Sequence, residues 1–236
     1  MNGLIVRFAD INIKINTHYD YMHKLCKDYI VDTDEYEIEV YPGKDYKHFM
    51  NDNPIFSEEY CESMSLYEEI GKQLPKYNAF IMHGAVITYQ DKALMFTAKS
   101  GTGKTTHIKL WRQYFKNDVD IVNGDKPIVR VFDDGIKVYG TPYCGKERWH
   151  KNRSAYLHSI CIIERGLEND IRKISSEDAI IPLYQQLFVP KDSEEIAGKI
   201  LELYNQLLTT IPLYVLQCDI SQEAVEVAYK GMLNHE

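Results

Sequence analysis

Residues 93–106 read Ala93-Leu94-Met95-Phe96-Thr97-Ala98-Lys99-Ser100-Gly101-Thr102-Gly103-Lys104-Thr105-Thr106, an apolar run that ends in a glycine-rich turn. The pattern G-x-x-x-x-G-K-[ST] marks a phosphate loop between a strand and a helix. The last three positions fit it, and Ala98 stands where the first glycine would be. Gly101 and Gly103 let backbone N–H groups turn toward phosphate oxygens. The helix that follows presents its positive end to the same anion. Lys104 supplies a charge for β- and γ-phosphates, and the Thr105 hydroxyl is a ligand type for Mg²⁺. Lys99, Ser100, Gly101, Thr102, Gly103, Lys104, Thr105 and Thr106 are therefore the expected nucleotide-binding residues, for ATP or another nucleoside triphosphate with Mg²⁺.

Outward from the loop, the apolar pattern predicts strands over Ala79–Tyr89 and Ala93–Thr97, joined by Gln90-Asp91-Lys92. A helix over Thr105–Phe115 points Ile108, Trp111 and Phe115 inward. Asp120–Val122 reads as a short strand. Asp133-Asp134-Gly135 turns a hairpin between Ile128–Phe132 and Ile136–Tyr139. Leu157–Glu164 and Leu213–Cys218 are further strands. Ile196, Ile200, Leu203 and Leu207 mark a helix, and Ser221 caps the last one. Upstream, Ser57 caps a helix with Leu66, Ile70 and Leu74 on one face, ended by Pro75. The first segment shows strands at Leu4–Phe8, Ile11–Ile15 and Tyr36–Tyr41, and a helix over Tyr19–Tyr29. Residues 42–56, with Asn51-Asp52-Asn53-Pro54, read as a boundary loop. The expected fold is α/β: a mixed sheet carrying the loop over residues 57–236, plus a small α+β segment over 1–56 packed on it.

The chain has 236 residues, an ordinary 44% hydrophobic content and a formal charge of −8. That acidity disfavours nucleic acid and anionic lipid as partners. No apolar stretch approaches the ~20 residues of a membrane span. Met1–Phe8 is too short for a signal peptide. Cys26, Cys61, Cys144, Cys161 and Cys218 show no CxxC spacing, which predicts free thiols in a cytoplasmic protein rather than a zinc site. Tyrosine is abundant, at 18 residues, which core and surface packing explain.

Three further places carry chemistry. His83-Gly84 precedes the loop, Val122-Asn123-Gly124-Asp125 follows its helix, and Gly140-Thr141-Pro142-Tyr143-Cys144-Gly145-Lys146-Glu147 comes next. With the loop core Ser-Gly-Thr-Gly-Lys-Thr-Thr, these resemble HPr kinase/phosphorylases, which share a phosphate-loop fold with ATP-dependent phosphoenolpyruvate carboxykinases. HPr kinases carry a similar His-Gly before the loop and paired aspartates after it. Asp125 matches the second of the pair, and Gly124 replaces the first. The Gly140–Glu147 segment is similar to a G-T-P-W-x-G-K-E motif in a group of bacterial HPr-kinase-like proteins. That likeness runs from residue 1 to the C-terminus, against about residues 80–175 for HPr kinases themselves.

The resemblance implies a phosphotransferase. Asp125 would hold the metal or take the acceptor's proton, and His83 would place the phosphate or pair with a carboxylate. Lys146 and Glu147, with Arg148, would close over the phosphates. His150, Lys151 and Arg153 extend a positive stretch suited to an anion, and Arg172 stands near a substrate-loop arginine. The acceptor is a serine of a peptide or protein, or a small hydroxyl compound, and a homo-oligomer fits the family. Two other readings stay open: a carboxykinase-like or phosphorolytic enzyme, and a nucleotide-binding sensor or scaffold.

Overall fold

The computed structural model describes residues 2–52, 54–99 and 101–233. The chain opens with strands β1 (Asn2–Phe8) and β2 (Ile11–Thr17), a short helix α1 (Tyr21–Leu25) and strand β3 (Ile38–Val40). Helices α2 (Phe49–Asp52) and α3 (Glu58–Gln73) lead to β4 (Ala79–Ile81), β5 (Ala85–Tyr89) and β6 (Lys92–Thr97). Helix α4 (Lys104–Phe115) precedes β7 (Val119–Asn123), β8 (Ile128–Phe132), β9 (Gly135–Tyr139) and the long β10 (Ser154–Arg165). The chain finishes with β11 (Asp170–Ile174), α5 (Ser176–Tyr184), α6 (Glu194–Thr210), β12 (Leu213–Cys218) and α7 (Gln222–Leu233). The Ser57 hydroxyl accepts from the Tyr60 amide at 3.3 Å and so caps α3.

The fold is mixed α/β. The main sheet runs β4-β8-β9-β10-β6-β5-β7, with β12 on β10 and β11 on β12. A smaller sheet, β1-β2-β3, forms from the first residues. In the main sheet β10 is parallel to β6 and β12 is parallel to β10, while β5 is antiparallel to both β6 and β7. Strands β6, β7, β10 and β12 therefore all point the same way. Their carboxyl ends meet along one edge, the edge where α/β sheets bind ligands.

Period-two alternation sorts the side chains into layers. Leu94 and Phe96 of β6, Cys161 and Ile163 of β10, and Tyr214 and Leu216 of β12 pack with Ile108 and Trp111 of α4 and Val225 of α7. Their neighbours Met95, Ile160, Ile162 and Val215 face the opposite way, onto α5 and α6 through Leu183, Ile200 and Leu207. A third cluster joins Ile81, Ile128 and Tyr139 to Leu66 and Ile70 of α3 and to Val6, Ile13 and Met22. The first residues thus share a core with β4, β8 and α3.

Several expectations change. The strand expected over Ala79–Tyr89 is broken: β4 pairs with β8, β5 pairs with β6 and β7, and Met82-His83-Gly84 lies between them. The helix expected over Tyr19–Tyr29 spans only Tyr21–Leu25. The boundary loop 42–56 contains α2 and a short 3₁₀ turn, Tyr46–His48. Strand β11 and helix α5 were not expected.

Candidate functional site

The loop hangs from the carboxyl end of β6 and closes onto α4. Gly101 and Gly103 have φ of +78° and +125°, and nothing lies within 4 Å of where a Cβ would project. The cradle is open on that side. Gly103 provides no side-chain cap, so no side chain competes for the first amides of this 12-residue helix. At the end of β10, Arg165 donates from Nη2 to the Gly101 carbonyl and from Nε to the Thr102 carbonyl, the latter at 3.1 Å. Within the loop the Thr102 amide donates to the Lys99 carbonyl at 3.1 Å. Thr105 and Thr106 are partly exposed in the first helical turn, and Lys99 is exposed. Ser100 lies outside the described residues.

Lys104 does not point into solvent. Its Nζ lies 2.8 Å from His83 Nε2 and 3.8 Å from Asp125 Oδ1. His83 Nε2 is in turn 2.9 Å from Asp125 Oδ1, and Lys126 Nζ is 4.0 Å from Oδ2. Burial pushes the Asp125 carboxyl up, but the His83 hydrogen bond and the charges of His83, Lys126 and Lys104 together hold it below the usual aspartate value. Burial pulls the Lys104 ammonium below the usual lysine value, and the Asp125 charge opposes part of that. The groups expected at the loop, on the preceding His-Gly and after β7 form one constellation.

Each member is held from behind. The break between β4 and β5 lets the His83 amide donate to the Gln186 carbonyl at 2.7 Å, while Nδ1 lies 3.1 Å from Gln186 Oε1. The Thr97 hydroxyl donates to the His83 carbonyl at 3.0 Å. Asn123, fully buried, accepts from the amides of Asp125 and Lys126, both at 2.8 Å. Its own amide donates to the Thr141 carbonyl at 2.9 Å. Gly84 closes the ring, donating to the Asp125 carbonyl at 2.8 Å.

Gly124 stands where the resemblance implies a first aspartate. A Cβ there would meet the Cys144 carbonyl at 2.8 Å and the Trp149 carbonyl at 3.3 Å. The Gly140–Glu147 segment fills the room a second carboxylate would need. This segment also supplies Thr141, so it supports Asp125 from beneath. Lys146, Glu147 and Arg148 are exposed at its tip. Glu147 pairs with Lys109 on the outer face of α4 at 3.3 Å, and its carboxylate makes no contact with His83, Lys104 or Asp125 among the described residues. Lys151 and Arg153 both bind Asp120, at 2.6 and 2.7 Å, and His150 Nδ1 lies 2.9 Å from the Tyr29 hydroxyl. That basic stretch is taken up by partners away from the loop. Arg172 is exposed on β11.

Two clefts flank the loop. One, of about 700 Å³, runs between Lys99, Thr102 and Arg165 on one side and, on the other, Ile181 and Pro182 of α5 with Gln185 and Gln186 just beyond it. The other, of about 390 Å³, lies between α4 and the ends of β10 and β12. Glu164 lines both. Sequence reasoning missed Glu164, Arg165 and Gln186. For the first two the signal existed: they end an apolar strand parallel to the loop strand. Gln186 carried none. Among the described residues no three His, Cys, Asp or Glu side chains converge as a self-contained metal site. Mg²⁺ commonly takes one or two protein ligands and completes its shell with water and phosphate, and the Thr105 hydroxyl and Asp125 carboxylate are of the donor types for that mode. All five cysteines are free and buried. Burial pushes the thiols of Cys144 and Cys218 up to about 11. No helix among the described residues is long and apolar enough to cross a membrane.

No family model and no curated protein matches the chain. Among solved structures it is similar to the Hpr(Ser) kinase/phosphatase from Coxiella burnetii, with 10% identity, 66% of this chain and 89% of that chain covered, and a TM-score of 0.39.

Proposed function

We propose that this chain is a kinase that binds a nucleoside triphosphate, ATP in the simplest case, with Mg²⁺ at the 98–106 loop. It would pass the terminal phosphoryl group to a hydroxyl acceptor. The observation that carries the proposal is the convergence of Lys104, His83 and Asp125 at the mouth of an open, uncapped loop. Bound Mg²⁺, held by the Thr105 hydroxyl and the Asp125 carboxylate, would neutralise phosphate charge. Lys104, released from His83, neutralises the β- and γ-oxygens. Asp125, kept ionised by its cationic neighbours, takes the acceptor's proton. The acceptor oxygen bonds to the γ-phosphorus as the bond to the bridging oxygen breaks, leaving a nucleoside diphosphate. The 700 Å³ cleft beside Gln186 is the acceptor's route, since Gln186 holds His83. That acceptor is a peptide, a protein or a small hydroxyl compound.

Lys104→Ala should weaken binding of Mg·ATP by tenfold or more in calorimetry. Asp125→Asn should bind within about tenfold of wild type and lose a hundredfold to ten-thousandfold in phosphoryl transfer or in slow ATP hydrolysis. Equal affinity for wild type and Lys104→Ala would overturn the loop's role. Retained turnover in Asp125→Asn would make Asp125 a turn residue. The single carboxylate left by Gly124 favours a second reading, a nucleotide sensor, which binds ATP as tightly and shows no turnover in either protein.

A further inference from the structure

The direction in which a triphosphate must lie follows from the strand order. Phosphate-loop amides cradle the α- and β-phosphates, while the loop lysine reaches the β- and γ-phosphates. Lys104 turns to His83 and Asp125, which flank β5 and β7 on one side of β6. The nucleoside must then leave on the other side, toward β10 and β12. Of the two clefts there, the larger abuts Gln186 and hence the γ end. The smaller is lined by Thr106 and His107, the residues that follow Lys104-Thr105 on α4.

His107 is 3% exposed, and its Nδ1 has no hydrogen-bond partner among the described residues. The Trp111 indole N–H donates to Nε2 at 2.9 Å. With Nε2 accepting, a neutral imidazole must carry its proton on Nδ1, so the orphan atom is a donor. His107 borders the cleft, but its Nδ1 is enclosed by the protein, with the ring packed beside Phe96 and Trp111. Across the cleft, Asp219 follows β12. Its Oδ1 accepts from the Ser221 hydroxyl at 2.5 Å, and Oδ2 has no partner among the described residues. Leu110 and the 78%-exposed Ile220 provide apolar walls. At about 390 Å³ the cleft falls in the size range of small-ligand sites.

We infer that the cleft between α4 and the ends of β10 and β12 is the nucleoside slot. A purine lies between Leu110 and Ile220, and its amino edge donates to the Asp219 carboxylate. This rests on the nucleotide reading of the loop and adds to it that the base contributes to affinity.

The test titrates Mg·ATP, Mg·GTP and Mg·tripolyphosphate into wild type, Asp219→Ala and Leu110→Trp by calorimetry. Asp219 lies on an exposed turn, and tryptophan at 110 fills the slot without emptying the core. Wild type should bind at least one of the two purine nucleotides ten times more tightly than tripolyphosphate. Both variants should lose most of that preference while binding tripolyphosphate within twofold of wild type. Wild type that binds tripolyphosphate as tightly as both nucleotides overturns the slot and leaves the loop standing. So does nucleotide affinity unchanged within twofold in both variants. Failure of wild type to bind any of the three overturns the loop reading and the slot together.

Discussion

His83 Nε2 faces Lys104 and Asp125 at 2.8 and 2.9 Å. One ring nitrogen cannot donate to a carboxylate and accept from an ammonium at once. With a proton it bonds Asp125, and without one it accepts from Lys104. The residue types here were legible, since Gly-Lys-Thr and a strand-end aspartate each carry a mechanism. What the sequence left open was that Lys104, His83 and Asp125 touch, because the contact depends on the break in the strand before the loop. His107 carried no signal of its own in the sequence. Its burial pulls the imidazole down to about 4 from 6.5. The unfolded chain binds the extra proton below pH 6.5 and the folded one only near pH 4. The stability contribution is thus complete above pH 6.5 and is lost as the pH falls toward 4. Its size is roughly 3 kcal/mol. Urea denaturation at pH 7.5 and 4.5 should show His107→Gln losing less stability than wild type by an amount of that order. An identical loss in both proteins would contradict it.

At the scale of elements, the legible parts were those whose apolar period is undisturbed. The strands β6, β10 and β12 bury both faces, and α3 and α6 each carry a regular stripe with a serine cap. Strand β11 was missed because it is an edge, Asp170–Ile174, with three charged residues, Asp170, Arg172 and Lys173, on a mostly exposed run. Helix α5 was missed because Pro182 sits inside it, and proline argues against a helix interior. The Ala79–Tyr89 run hid its break because apolar residues lie on both sides of His83-Gly84, and the two halves join different partners. Lys146, Glu147 and Arg148 were read as a clamp over phosphates, at the tip of the Gly140–Glu147 segment. The packing of that segment places backbone against Gly124, at 2.8 Å from a would-be Cβ. Gly124→Ala should then cost about 1–3 kcal/mol through overpacking against backbone. At this chain length that is a fall of about 2–4 °C in melting temperature per kcal/mol. Gly124→Asp should lose at least as much and gain no turnover. A variant that melts with wild type, or an aspartate that raises the rate, would show that the segment yields.

The whole molecule is organised around β8 and β9, which serve two cores at once. Val129 and Val138 face α5 and α6, while Ile128 and Tyr139 face the first residues of the chain. Specific bonds follow the same seam: Arg130 donates to the Ala9 carbonyl and the Tyr139 hydroxyl to Asp10, both at 2.6 Å. The support reaches the site. The Asn152 side chain donates to the Asp28 carbonyl at 2.8 Å, and the Tyr29 hydroxyl meets His150 at 2.9 Å. Both bonds anchor the residues that follow the Gly140–Glu147 segment, whose Thr141 holds Asn123 and through it Asp125. A chain of residues 57–236 alone would leave Leu66, Ile70, Ile81 and Ile128 open to water, along with one side of that anchor. Burying such side chains contributes roughly 1.5–3 kcal/mol each, so four exceed a large part of a typical domain's stability. The shortened chain should lack a cooperative melting transition and should lose Mg·ATP binding, with near-ultraviolet dichroism flattened before the far-ultraviolet signal falls. Adding residues 1–56 as a separate polypeptide should restore part of both signals, because their apolar side chains complete the shared core. A shortened chain that melts cooperatively and binds Mg·ATP as the full one does would show that residues 57–236 hold Asp125 in place by themselves.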